Sequence, residues 1–498
     1  MIKLNIIFNL LGKSWALIST FVFIPLYVHI LGIEMYGIIG FYTTLLVILA
    51  FADLGLTATL TREVSRNYSH QKGGNTYLMD LLKTYELLYL FISITISFII
   101  YIVAPLIVNR WLHLSSNMNP ENVILAVRYL GFAIAFQLPA NLFYGGLMGL
   151  EKQVSANILQ ILWGILRNLS AVFVLYYFSV SIVNFAICQF FSNLLYCLII
   201  RSYLWISINP DRVKAAFKKN VLLSTWRYST GMAMMSLISI TLGQADKLIV
   251  SKLLPLKEFS YYSLASTVSI VPMIVAEIFG MAIFPRFARF VKENDINNLS
   301  KLFLKGGYLL SLSVLTISIS LMFFSRNFLF AWTGSSVVAA KAQNVVILLL
   351  IGQTLQALAL MPYYLGLAHG YVRINLQMGV ISILILLPCL FLTINKFGLI
   401  GGGISWALTN LLVTTCLVIK IVKRFLSSIL LRWILQCILL PLISITICLW
   451  ALKLITPINL MFSQWRIFVC IGISATTTLL VVFFILEYIF KIVNKKLI

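Results

Sequence analysis

Apolar stretches of about twenty residues follow one another along almost the whole chain, and this limits the fold more than any other feature. A bilayer core requires roughly 20 predominantly apolar residues per helical crossing. Only helices and closed barrels satisfy every backbone polar group inside it. Fourteen helical spans are expected, at 5–30, 37–60, 80–108, 122–147, 154–177, 181–203, 226–251, 259–284, 300–324, 342–367, 373–394, 398–419, 430–454 and 466–490. The chain is 61% hydrophobic and only 10% charged, with a mean hydropathy of +1.00. The expected fold class is an all-α polytopic membrane protein of about fourteen transmembrane helices.

A net charge of +23 would ordinarily suggest nucleic acid. Here most of the basic residues sit in loops between apolar runs, so they orient the chain and attract anionic lipid instead, and no nucleic acid is expected. With the N-terminus inside, Lys and Arg favour the inner side by roughly three to one. That bias supports an even number of spans with both termini cytoplasmic. The first apolar run is too long for a cleavable signal and reads as a retained span.

The chain also reads as two related halves. The segment 31–66 carries a turn, an apolar run with a lone acid, and Arg62 and Arg66 at its exit. The same order returns over 254–289, where Asp53 falls on Glu277 and Arg62 on Arg286. Tyr144–Leu147 resembles Tyr364–Leu367, and Ser192–Leu195 resembles Thr409–Leu412. Two six-helix lobes are expected, at 1–203 and 226–425, with two additional helices over 426–498. The basic stretch 204–225 joins the lobes, either as an interfacial helix or as a plain solvated linker. Paired halves in membrane transporters commonly hold the substrate site at their interface.

Charges inside spans are expensive and tend to face a bundle interior or an aqueous cavity. Lys13, Lys83, Arg128, Arg167 and Lys247 are the basic ones; Asp53, Glu86, Asp246 and Glu277 are the acids. Most lie in the first half. The cations suit an anionic substrate such as a phosphate or pyrophosphate, though snorkelling or helix tying accounts for them equally. Lys83 and Glu86 share a helix face and are placed to pair. Asp53 and Glu277 are candidates for ion coupling, or else tie helices by hydrogen bonds. Prolines and the run Gly401–Gly403 allow kinks and close packing.

Signs of an enzyme are largely absent. The four histidines show no metal-ligand spacing, the aspartates form no DxD pair, and no GxxxxGK[ST] loop occurs. The seven cysteines lie in apolar segments without a CxxC pair and read as core residues. Neither a catalytic activity nor a cofactor or metal is expected.

The N-terminal LGKSWALISTFVFIPLYVHILGIEMYGIIGFYTTL, its G-x-x-x-Y-G turn at Gly32–Gly37, the FADLGL…REVSR segment and the repeated spans resemble the O-antigen and polysaccharide flippases (Wzx type) of the MOP superfamily. That superfamily also contains multidrug exporters and lipid II flippases. The resemblance implies two lobes, alternating access and a cationic central cavity. It implies an undecaprenyl-pyrophosphate-linked oligosaccharide as substrate, in the bacterial inner membrane, for lipopolysaccharide or other surface-polysaccharide synthesis. Membrane lipids, a polysaccharide polymerase and a chain-length regulator are the implied partners. By helix position it assigns function to Lys13, Asp53, Asp246, Lys247 and Glu277, with Arg62 and Arg286 at the inner ends. A multidrug or organic-cation antiporter and a lipid II flippase are the alternatives; the basic excess departs from the multidrug branch.

Overall fold

The structure, a computed structural model, describes residues 2–68, 76–208, 214–455 and 463–495. Fourteen helical stretches among them are long and apolar enough to cross a bilayer, the number expected. The helices carry the backbone hydrogen bonds internally, as hydrocarbon requires.

The chain packs as two compact units, Met1–Ser260 and Tyr261–Ile498. The first contains α1 (Ile2–Leu31), α2 (Ile33–Leu49), α3 (Leu56–Asn67), α4 (Thr76–Leu106), α5 (Pro120–Gly149), α6 (Gln153–Tyr177), α7 (Ile182–Ile208) and α8 (Lys219–Leu253). Within it α5 packs on α3, α4 and α7, α1 on α6, and α8 on α2, α3 and α4. Small residues set the closest approach: Thr61 Oγ1 donates to the Gly145 carbonyl at 2.9 Å, and a Cβ on Gly149 would meet the Thr61 carbonyl at 2.7 Å. Gly145 belongs to one of the repeat echoes.

α9 (Leu256–Ser269) leads into the second unit, which contains α10 (Val271–Lys292), α11 (Ile296–Phe323), α12 (Ser325–Thr333), α13 (Ser336–Leu358), α14 (Leu360–Ala368), α15 (Val372–Phe397), α16 (Leu399–Phe425), α17 (Leu430–Trp433), α18 (Leu440–Ile455) and α19 (Gln464–Lys495). α16 packs on α13 and α15 through the glycine run: a Cβ at Gly403 would meet Leu348 Cβ at 2.8 Å. α18 and α19 pack on each other and on α11. The core there includes Phe287, Phe303 and Trp433, the Phe303 and Trp433 ring centroids lying 5.7 Å apart.

Two local expectations change. The second span does not run from 37 to 60; its helical stretch ends at Asp53. Leu54 (φ 49°) and Gly55 (φ 73°) are left-handed in succession, which stops a right-handed helix, and α3 starts afresh at Leu56. The interfacial helix over 204–225 also does not form among the described residues. Residues 204–208 end α7, 219–225 begin α8, and 214–218 are non-helical; 209–213 lie outside the described residues. The non-helical stretch is fastened to α4. Asp80 Oδ1 accepts the Ala216 N–H at 2.8 Å, Asp80 Oδ2 lies 2.5 Å from Lys218 Nζ, and Lys218 N–H donates to Thr84 Oγ1 at 3.0 Å.

Candidate functional site

The polar features of the first unit start at the break in the second span. Residues Ala50–Asp53 form a tight 3₁₀ turn. The two left-handed residues that follow free the carboxylate of Asp53 to face the first turn of α3. Its Oδ1 accepts the Thr57 N–H at 3.3 Å and also the hydroxyls of Thr57 and of Tyr89 from α4. A negative group at a helix N-terminus is favoured by the helix dipole. Gly55 lies against α8, where a Cβ would meet the Ser229 carbonyl at 2.5 Å. Thr59 Oγ1 lies 2.7 Å from Ser229 Oγ, and Tyr85 OH donates to Thr225 Oγ1 at 2.7 Å. The break is therefore held by α3, α4 and α8 at once.

A second polar region lies among α1, α2, α6 and α7. Tyr27 OH donates to Asn168 Oδ1 at 2.9 Å, and Asn168 Nδ2 donates to Ser19 Oγ at 2.9 Å. Arg167, on α6, stacks its guanidinium over the Trp163 ring at 4.4 Å. Trp163 in turn stacks on Tyr196, with centroids 4.6 Å apart. The Arg167 charge acts on both Tyr27 and Tyr42, and Tyr42 adjoins Asn193. Arg167 Nε, Trp163 Nε1, Tyr42 OH and Asn193 Oδ1 are buried and complete no hydrogen bond of good geometry among the described residues. Buried polar atoms without a partner also occur elsewhere among the described residues, but here four of them lie around one guanidinium. A guanidinium here is placed to receive an anionic group.

The other expected residues are spread out. Lys13 lies on α1, with its side chain outside those described. Arg62 is half-buried on α3. Lys83 lies 3.5 Å from Glu86 as its spacing suggests, and Arg201 from α7 closes on the other carboxylate oxygen of Glu86. Arg128 stacks over Tyr101 at 4.1 Å and donates from Nε to the Tyr101 carbonyl at 3.3 Å, which ties α5 to α4. Asp246 is buried on α8 and is an electrostatic neighbour of half-buried Lys247. Glu277 is exposed on α10, and Arg286 stands at that helix's far end.

Tyr89, Thr57, Arg201, Tyr42 and Asn193 were not legible as site residues. Tyrosines and asparagines are frequent in apolar spans, and Arg201 reads as a loop residue from its place at a span end. No group of three or more His, Cys, Asp or Glu placed to hold a metal occurs among the described residues.

Comparison with solved structures establishes the fold. The chain matches a lipid II flippase, MurJ in an inward closed conformation, with a TM-score of 0.68 at 13% identity, over 97% of this chain and 98% of that one. It matches an inward-facing multidrug resistance MATE transporter of the MOP superfamily with a TM-score of 0.65 at 13% identity, over 84% of this chain and 96% of that one. The protein thus has the multi-pass helical fold of the MOP transporters. Residues 2–291 match the family model described as polysaccharide biosynthesis protein, and the chain belongs to that family. A Shigella flexneri protein named as a candidate O-antigen transporter is 25% identical over 419 residues, covering 82% of this chain and 94% of its own length.

Proposed function

We propose that this protein flips undecaprenyl-pyrophosphate-linked oligosaccharide repeat units, of O-antigen or another surface polysaccharide, from the cytoplasmic to the outer leaflet of the bacterial inner membrane. The observation that carries the reading is Arg167: a guanidinium inside a membrane bundle, braced on Trp163, with a buried Nε unpartnered among the described residues. The family match and the likeness to an O-antigen transporter support the substrate class. In this reading both termini are cytoplasmic and two lobes alternate access to a cationic cavity. Lys13, Arg62, Arg167 and Lys247 attract the pyrophosphate, while Lys83, Arg128 and Arg286 serve at its margins. Asp53, Asp246 and Glu277 are the candidates for ion coupling. A polysaccharide polymerase and chain-length regulator act downstream.

The test is a deletion strain assayed for surface glycan and for undecaprenyl-linked intermediates. Loss of glycan with a single repeat unit accumulating on the inner-leaflet carrier is expected. Restoration by the wild-type gene and by Arg167→Lys, but much less by Arg167→Ala at equal expression, assigns the cation its role. Intact glycan with altered resistance to toxic cations would replace this reading with drug export. Rescue of a strain depleted of its lipid II flippase would replace it with lipid II transport.

A further inference from the structure

A cleft of about 420 Å³ opens between the end of α10 and the start of α11. Its volume falls in the range of small-molecule sites, ~300–1,000 Å³. Four cations line it: Arg286 and Arg289 from α10, Lys301 and Lys305 from α11. Their spacings of three and four place each pair on one helix face. All four side chains are exposed, so the charges are accessible. The floor is apolar, formed by Phe290 and Leu302.

Two acids answer these cations incompletely. Glu293 accepts from Arg289 Nε at 2.8 Å. Asp295 is engaged by Asn298, whose backbone N–H and Nδ2 donate at 3.0 and 2.7 Å, and it also feels Lys301. The cleft therefore keeps an excess of about two positive charges, counting each pair at full charge.

Its place in the fold identifies what meets it. The segments Leu256–Lys292 and Ile296–Phe323 are both long and apolar enough to cross a bilayer, and the cleft sits at the turn between them. That is the depth at which lipid head groups lie, and cation clusters there recognise anionic lipids. Exposed Ile278 and Met281 continue the apolar surface back along α10, where an acyl chain would run.

We infer that this cleft binds the head group of an anionic phospholipid carrying two phosphodiesters, such as diphosphatidylglycerol, with one phosphate on the arginine pair and one on the lysine pair. Free phosphate or pyrophosphate shares that chemistry, but neither uses the apolar floor. The inference does not rest on the transport reading, because its test reads binding alone.

Delipidated full-length protein in detergent is titrated with diphosphatidylglycerol or phosphatidylethanolamine and observed by native mass spectrometry. One tightly held diphosphatidylglycerol per chain is expected, at concentrations where phosphatidylethanolamine does not bind. Binding should weaken roughly fivefold for each cation removed, read in R286Q/R289Q and in K301Q/K305Q separately. Arg373→Gln, outside the cleft, should leave binding unchanged. Monodispersity of each variant by size exclusion confirms that it is folded; if one pair does not fold, the other decides. Equal retention by the folded variants, or no preference over phosphatidylethanolamine, would overturn the inference. Displacement by inorganic phosphate or pyrophosphate at concentrations equal to the lipid's would reassign the cleft to a soluble anion.

Discussion

Asp53 and Glu277 occupy matching places in the two halves of the chain, yet their surroundings have little in common. Asp53 ends a 3₁₀ turn and accepts hydrogen bonds from Thr57 and Tyr89. Glu277 is exposed on α10, which runs unbroken from Val271 to Lys292. The difference follows from three neighbouring positions. Leu54-Gly55 in the first half corresponds to Ile278-Phe279 in the second, and the capping partner Thr57 corresponds to Met281. Without glycine, the left-handed conformation at that place is costly, and the helix continues. The second half breaks earlier, at Ile270, where Pro272 in the first turn of α10 lacks an N–H to continue the preceding helix. Two repeats can thus keep the order of their features while moving the helix break by several residues.

Gly55→Ala should break this comparison most severely. It forces a Cβ into a left-handed position and against the Ser229 carbonyl, costing about 3 kcal/mol in denaturation of the detergent-solubilised protein. A loss below about 1 kcal/mol would mean that the break does not depend on glycine. Next, Asp53→Ala removes the acceptor shared by Thr57 and fully buried Tyr89, leaving their hydroxyls only each other at 3.0 Å, and should cost about 2 kcal/mol. Glu277→Ala should stay within about 0.5 kcal/mol, and equal losses at the two acids would erase the distinction drawn between them. Tyr89→Phe, which removes one donor from Asp53, should cost about 1 kcal/mol. In combination with Asp53→Ala it should add little, since the two side chains share one interaction.

The smallest effect is at Asp295, the N-cap of α11. The Asn298 backbone N–H, then its side chain, hold this carboxyl below the usual carboxylate range. The stabilisation it contributes is present above the unfolded value of about 3.9 and disappears as the pH falls through the lower folded value. Asp295→Asn should therefore narrow its difference from wild type as the melting curve is moved from pH 6 down to pH 3. A difference that widens on acidification would contradict the assigned cap.

The charged residues were the least readable part of the candidate site. Lys83 and Glu86 were placed to pair by helical spacing alone, but Arg201, 115 residues away, completes the group. Arg128 was open to a substrate-facing or a helix-tying place, and the structure stacks it on Tyr101 of α4. Nothing in the local sequence distinguishes Arg167, whose Nε is buried without a hydrogen-bond partner among the described residues, from Arg128, whose Nε reaches a carbonyl.

The sequence by itself determined the all-α class and the fourteen apolar helices, because the bilayer tests each stretch of about 20 residues separately for apolarity and internal hydrogen bonding. The left-handed break at Leu54-Gly55 was not read from it, because hydropathy alone runs on through residue 60. Only the tertiary structure decided what each charge meets. Tyr89 reaches Asp53 across 36 residues of chain, and Lys301 and Lys305 reach the cleft of Arg286 and Arg289 from the next helix. Hydrogen bonds and ion pairs act over a few ångströms of space, and which residues share those ångströms is set by helix packing.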